Sequence, residues 1–243
     1  MPEIHKINFA TDTGLMGYYR METGALTTDS STNARTLTNN NTVSEVSGRF
    51  GIAADFGTTN TNKSLTIANT MGITGGNISF SFWVKMNTEL ASGETCFILQ
   101  GSLTNLVRNQ VEYVFSGSPI LRFRRTRSNV ADDDATFIVS LGTVRFHHIA
   151  YTYDGATVRG YLNGVQVTSV ASVGNGSATG SDQFSIGARN TIGTPDEFSS
   201  SVIDDVAVFN RTLSAAEVFS IYNDSRFPNR NIRPRPFAPG SAR

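Results

Sequence analysis

The sequence predicts an all-β chain, an antiparallel sandwich or barrel with one short C-terminal helix and an extended tail. Three observations carry this. Apolar residues alternate with polar ones at period two through most of the 243 residues, the pattern of half-buried strands. The alternating runs are separated by clusters of Gly, Asn, Asp and Ser, which supply turns. The composition, 39% hydrophobic and 16% charged with 22 glycines, excludes a disordered chain and a helical bundle. A chain with ten or more such strands folds onto itself, because one-sided apolar faces and open edges would otherwise meet water.

The elements follow in order. Ile78 to Lys85 alternates cleanly, with Ile78, Phe80, Phe82 and Val84 on a core face and Ser79, Ser81, Trp83 and Lys85 on the other. Val111 to Phe115 and Ile120 to Arg125 flank Ser116-Gly117-Ser118-Pro119, a compact hairpin signal. Phe137 to Leu141 and Phe146 to Tyr153 read as two further strands. Asp154-Gly155 and Asn163-Gly164 then punctuate a meander of Thr157 to Leu162 and Val165 to Val167. Both Asx-Gly pairs fit type I′ turns, which need positive φ at two central residues. After a loop from Gly174 to Asp182 come Phe184 to Ala188 and Ser201 to Phe209. Ser214 to Tyr222 is the helix: Ser214 and Glu217 stand at capping-box spacing, and Val218, Ile221 and Tyr222 share a side.

Charge and cysteine usage narrow the partners. Twenty Lys and Arg balance twenty Asp and Glu, so no basic excess recruits nucleic acid. No window approaches the roughly 18 apolar residues of a membrane span, and the first residues lack a secretory pattern. Cys96 sits in an apolar run and reads as a small buried hydrophobe. His147 and His148 are adjacent in a strand and point to opposite faces, so they cannot chelate one ion together.

A series of motifs then lines up in a familiar order. Gly14 to Glu22 (GLMGYYRME), Asp29 to Asn33 (DSSTN), Gly48 to Ala53 (GRFGIA), Ile78 to Lys85 (ISFSFWVK), Phe146 to Gly155 (FHHIAYTYDG), Tyr161 to Gly164 (YLNG) and Ile203 to Ser214 (IDDVAVFNRTLS) together resemble the concanavalin A-like, laminin G-like jelly-roll family. The resemblance covers about residues 14–223 and leaves 1–13 as an N-terminal segment and 224–243 as a tail. It implies a two-sheet jelly-roll sandwich acting as a lectin-like or interaction module. It also implies a structural calcium held by Asp29, by oxygens near Asn33 and by Asp204, since calcium takes about six to eight oxygens. Thr32 and Ala34 replace the two glycines usual in that loop, which strains it if those positions need positive φ. The alternative is that Asp29 caps a turn and Asp204 accepts backbone hydrogen bonds.

Catalysis is not expected. The carboxylate run of laminarinase-type glycosidases is absent, and Asp132-Asp133-Asp134 reads as a loop pairing with Arg122, Arg124, Arg125 and Arg127. Glycan binding needs an aromatic platform, for which Trp83 and Tyr113 are outward-capable; burial is the competing reading for each. The tail carries Arg226, Arg230, Arg233, Arg235 and Arg243 among four prolines, with Phe237 between them. Stiff extended backbone bearing arginines suits anchoring on another subunit. With no disulfide and no leader, the expectation is a virion-surface or extracellular protein, a capsid-decorating or adhesin-like module in a larger assembly. A carbohydrate-binding module is the alternative.

Overall fold

The computed structural model describes residues 12–58, 61–68, 71–73, 76–101, 107–127, 131–172, 183–191 and 194–223. The tail with Arg226, Arg230, Arg233, Arg235 and Phe237 lies outside the described residues, as does the loop from Gly174 to Asp182. In chain order the elements are β1 (Leu15–Tyr19), β2 (Thr38–Asn40), β3 (Ser44–Ser47), β4 (Ile52–Asp55), β5 (Ser64–Ile67), β6 (Asn77–Met86), β7 (Gly93–Gly101), β8 (Arg108–Phe115) and β9 (Pro119–Arg127). There follow β10 (Ala131–Ile138), β11 (His147–Asp154), β12 (Thr157–Leu162), β13 (Val165–Ala171), β14 (Gln183–Ile186), β15 (Arg189–Thr191), β16 (Thr194–Asp196), β17 (Ser201–Phe209) and α1 (Ala215–Asn223).

They form two antiparallel sheets and a small hairpin of β15 and β16. The eight-stranded sheet runs β13-β12-β11-β6-β17-β4-β3, with β1 also pairing β17. The seven-stranded sheet runs β10-β9-β8-β7-β14-β5-β2. This is the jelly-roll sandwich that the resemblance implies. Phe80 and Phe82 of β6 and Tyr151 of β11 meet Phe97, Tyr113, Phe123 and Phe184 of the opposing sheet in one core, all fully buried. Burial of each such side chain contributes about 2 kcal/mol. At Gly160 the sheets approach so closely that a Cβ would stand 2.2 Å from the Phe123 ring.

A second, smaller core covers the outer face of the eight-stranded sheet. Leu213, Val218 and Ile221 from the α1 region pack on Leu15, Tyr18, Ala150, Tyr161, Ala207 and Phe209. The capping box forms: the Ser214 N–H donates to Glu217 Oε2 at 2.8 Å and the Glu217 N–H to Ser214 Oγ at 3.2 Å.

Three local readings change. Asp132 to Asp134 belong to β10 rather than a loop, because β9 places a cross-strand partner opposite each of them. That strand spans 131–138, displaced from the expected 137–141. Asn163 and Gly164 both have positive φ, 50° and 80°, as a type I′ turn requires. The Asp154-Gly155 turn differs: its two-residue loop is Gly155-Ala156, with positive φ at Gly155 alone, the pattern of a type II′ turn.

Candidate functional site

A cleft of about 570 Å³ opens on the outer face of the eight-stranded sheet, beside the C-terminal end of α1. Five separate segments line it. Arg49 comes from the tight turn between β3 and β4, Trp83 from β6, Arg145 and Phe146 from the approach to β11, Asn163 from the β12–β13 turn, and Tyr222 and Asn223 from α1. The I′ turn carries Asn163 to this position and packs tightly on the helix, since a Cβ on Gly164 would lie 2.9 Å from Tyr222.

Trp83 is the floor. Tyr222 stacks on it at 5.8 Å, His148 tilts against it at 5.3 Å and Phe50 meets it edge-on at 5.7 Å. The Arg49 guanidinium lies 5.0 Å from its ring, and the Lys85 ammonium lies 5.5 Å over Phe146. Only 4% of Trp83 is exposed, so the burial reading holds for its ring even though its edge reaches the cleft. Asn163 is held by accepting the His148 N–H at 3.0 Å. His148 Nε2 lies 2.9 Å from Ser81 Oγ, and burial pushes its imidazole down to about 3, so the ring is neutral at physiological pH. His147 faces the other way, with Nε2 2.7 Å from the Leu141 carbonyl, and burial lowers its pKa too. The two histidines therefore occupy opposite faces, as the strand geometry requires.

Tyr113 is a correction. Its ring is fully buried between the sheets, stacked 6.4 Å from Phe97, with the hydroxyl donating to Glu89 at 2.8 Å. It shares parity along β8 with Val111, another core residue, and that alternation already marked its side. Cys96 is buried as expected, and burial raises its thiol well above the ordinary range.

The three residues tied to calcium occupy two environments. Asp29 accepts the N–H groups of Tyr18, Ser31 and Arg35 at 2.8–2.9 Å, and Asn33 Nδ2 donates to the Leu15 carbonyl at 2.8 Å. Ala34 stands at φ 53°, the strain its substitution for glycine implies; Thr32 does not share it. Asp204 is wholly buried, accepts the Phe50 N–H through Oδ2 at 3.0 Å and leaves Oδ1 without a partner. Asp205 follows it in a bulge at φ 49° and accepts the Tyr18 hydroxyl at 3.0 Å. Burial raises both carboxyls, Asp204 to about 7. The turn-capping contacts are thus present at Asp29, and the orphaned Asp204 oxygen is the feature that fits a cation.

The outer face of the seven-stranded sheet carries a different assembly. Among the described residues, Glu94 of β7, Glu112 of β8 and Glu197 after β16 bring carboxylate oxygens within 4.8 Å of one another. Arg122 pairs with Glu94 and Glu112, Arg189 with Glu197, Asp196 and Glu94, Arg124 with Asp134 and Asp132, and Arg108 with Asp132. The neighbouring Glu197, together with Arg122 and Arg189, holds Glu94 down at about 2. Burial, with the Glu94 and Glu112 carboxyls beside it, pushes Glu197 up to about 10.

With the geometry in place, the comparisons decide the family. The sequence model of the Concanavalin A-like lectin/glucanases superfamily matches residues 57–219. The chain belongs to this superfamily. No curated protein sequence matches it. Among solved structures it is similar to domain 4 of AbnA, a GH43 extracellular arabinanase from Geobacillus stearothermophilus, in complex with arabinotriose. That likeness has 18% identity and TM-score 0.65, covering 86% of this chain and 98% of the other. It is also similar to the binding domain of botulinum neurotoxin serotype G (18% identity, TM-score 0.67, 87% of this chain and 51% of the other). The binding domain of Paraclostridial Mosquitocidal Protein 1 gives 15% identity and TM-score 0.68, covering 87% and 52%. The chain spans about half the length of these two toxin domains. At such identities the likenesses show the lectin-like fold alone. No helix among the described residues is long and apolar enough to cross a membrane.

Arg49, Phe146 and Asn163 lie within the motifs GRFGIA, FHHIAYTYDG and YLNG, but no motif brings them together with Arg145 and Tyr222, because the segments are far apart in sequence. The nearest available signals were the Asn163-Gly164 turn and the polar-side position of Trp83.

Proposed function

We propose that the chain is a non-enzymatic carbohydrate-recognition module whose sugar site is the cleft beside α1. One observation carries this: Trp83, Phe146 and Tyr222 converge there with the hydrogen-bonding groups of Asn163, Arg49 and Arg145. Aromatic surface accepts the apolar side of a sugar ring, while a few fixed polar groups set its orientation. The volume falls within the roughly 300–1,000 Å³ of small-molecule sites. The superfamily and the arabinotriose complex of the AbnA domain support the reading. Glycoside hydrolysis needs one carboxyl to donate a proton and a second to act on a sugar between them. The Glu94, Glu112 and Glu197 carboxyl oxygens instead lie within 4.8 Å of one another with Arg122 and Arg189 against them, closer than the roughly 5–9.5 Å that such a pair of carboxyls keeps, which supports a binding role without catalysis. Titration against an oligosaccharide panel tests this: binding lost in Phe146→Ala supports the reading, and silence across all sugars overturns it.

The sequence after Asn223 favours a further role. Its five arginines and four prolines suit an extended anchor on a protein partner, which would display the sandwich on a virion or cell surface. Mass photometry of the full chain beside a 1–223 truncation checks it. An assembly that falls apart on truncation supports anchoring, and two identical monomers exclude it.

A further inference from the structure

Outside the cleft, every arginine whose side chain is described has an ion pair or a hydrogen bond within the fold. Arg20, Arg108, Arg122, Arg124, Arg159, Arg189 and Arg211 each form an ion pair. Arg35 donates to the Met16 carbonyl and Arg125 to Asn109. Of the arginines whose side chains are described, only Arg49 and Arg145 have neither an ion pair nor a hydrogen bond to another described side chain or backbone group. Both line the cleft. Lys85, beside it on Phe146, has no carboxylate partner either.

Among the described residues, no carboxylate lines the cleft. The buried Asp204 faces the β3–β4 turn, where it accepts the Phe50 N–H. The end of α1 contributes about half a negative charge, which two guanidiniums outweigh. Arg49 is held against Trp83 and Phe50 by cation–π contacts at 5.0 and 5.1 Å. Such contacts at exposed sites are weak, so an incoming anion can recruit the guanidinium without breaking a salt bridge. The chain's own tail is an unsuitable occupant, because residues 224–243 hold five arginines against one aspartate.

We propose that the cleft binds an anionic sugar, a pyranose bearing a carboxylate or sulfate, with Arg49 and Arg145 gripping the anionic group. The half-exposed faces of Phe146 and Tyr222 then take the apolar side of the ring, and Asn163 bonds a hydroxyl. This inference rests on the glycan-binding reading of the same cleft and adds the class of ligand.

The experiment is isothermal titration of the full chain with three probes: an oligogalacturonate, a sulfated heparin-derived oligosaccharide and a neutral glucan oligosaccharide. The expected result is binding of one or both acidic probes that weakens with salt, with no binding of the neutral one. The carboxylate and sulfate arms show which anion is preferred. Arg49→Gln and Arg145→Gln each lower affinity about tenfold or more. Phe146→Ser, which keeps every charge, lowers it as well. Acidic binding that ignores Phe146→Ser marks a nonspecific basic patch and overturns the proposal. Binding of the neutral probe that ignores both arginine variants overturns the anionic class but keeps the glycan reading. No binding of any probe overturns both. Unchanged melting curves for the variants exclude misfolding as the cause.

Discussion

The two outer faces of the sandwich treat charge in opposite ways. On the seven-stranded sheet, Arg108, Arg122, Arg124 and Arg189 are interleaved with Glu94, Glu112, Asp132, Asp134, Asp196 and Glu197, so each guanidinium meets carboxylates of its own chain. On the eight-stranded sheet, Arg49 and Arg145 have no such partner, and Asp204 keeps an oxygen without one. A folded chain can bury paired charges and hold them by geometry. Charges left over in a cleft or beneath a turn await something from outside. The first face is therefore read as structure and the second as a place for ligands.

The strongest test of that contrast is to break the compensated face. Glu112 is fully buried and depends on Arg122 and Gln110 for its hydrogen bonds. Arg122→Leu leaves that carboxylate without its cation and is expected to lower stability by about 3 kcal/mol, read by urea denaturation. A loss below about 0.5 kcal/mol would show that the network is decorative and that the contrast between the faces is unfounded.

A second test concerns Asp204. A calcium ion at its free oxygen, with Asp29 and Asn33 as the other proposed contributors, is expected to stabilise the fold by about 2.7 kcal/mol at a hundredfold excess over Kd. For a chain of this size that is a rise of roughly 5–11 °C in Tm. Asp204→Asn should abolish the rise. Identical melting in calcium and in chelator removes the proposal, and leaves Asp29 as a turn cap.

Smaller in size but sharper in form is the pH dependence of the compensated face. Glu197 is raised from 4.5 to about 10, so the folded state holds a proton that the unfolded state releases. Its contribution to stability therefore falls as pH rises from about 4.5 through about 10. Glu94 is lowered to about 2; its contribution is full above 4.5 and lost as pH falls through 2. Between pH 5 and 9 only Glu197 of the pair supplies a slope. Glu197→Gln should flatten that slope, raising stability at pH 8 relative to the parent with little change near pH 4. An unaltered slope in the variant would mean that Glu197 is not the group that holds the proton.

The sandwich itself was legible because its signals are local. Alternation in Ile78 to Lys85 assigned Trp83 to the outer side, Asn163-Gly164 announced its turn, and Ser214 with Glu217 announced the helix start. Asp132 to Asp134 misled for the opposite reason. Three aspartates read as solvated loop until β9 sets arginines and a threonine opposite them, and cross-strand pairing is not visible within one segment. The cleft shares this difficulty on a larger scale. Arg49 and Tyr222 are separated by most of the chain and meet only because α1 folds back over β6 and β11. A reading by motif could hold Trp83 and Arg49 each in its own motif but could not set the arginine above the ring.

The smallest expected effect is the most discriminating. Arg49 and Arg145 are exposed, touch aromatic or open surface and form no ion pair. Replacing either with Gln should change stability by no more than about 0.5 kcal/mol, the range of ordinary surface substitutions. Arg49→Gln loses a cation–π contact and so falls at the unfavourable end of that range. Arg145→Gln relieves like-charge repulsion and falls at the neutral or favourable end. Set beside the loss at Arg122, this is the contrast in its plainest form: one arginine that holds the fold, and two that do not. A loss of 2 kcal/mol or more at Arg49 would reassign it to the packing of Trp83, and the cleft would then keep Arg145 alone to meet an anion.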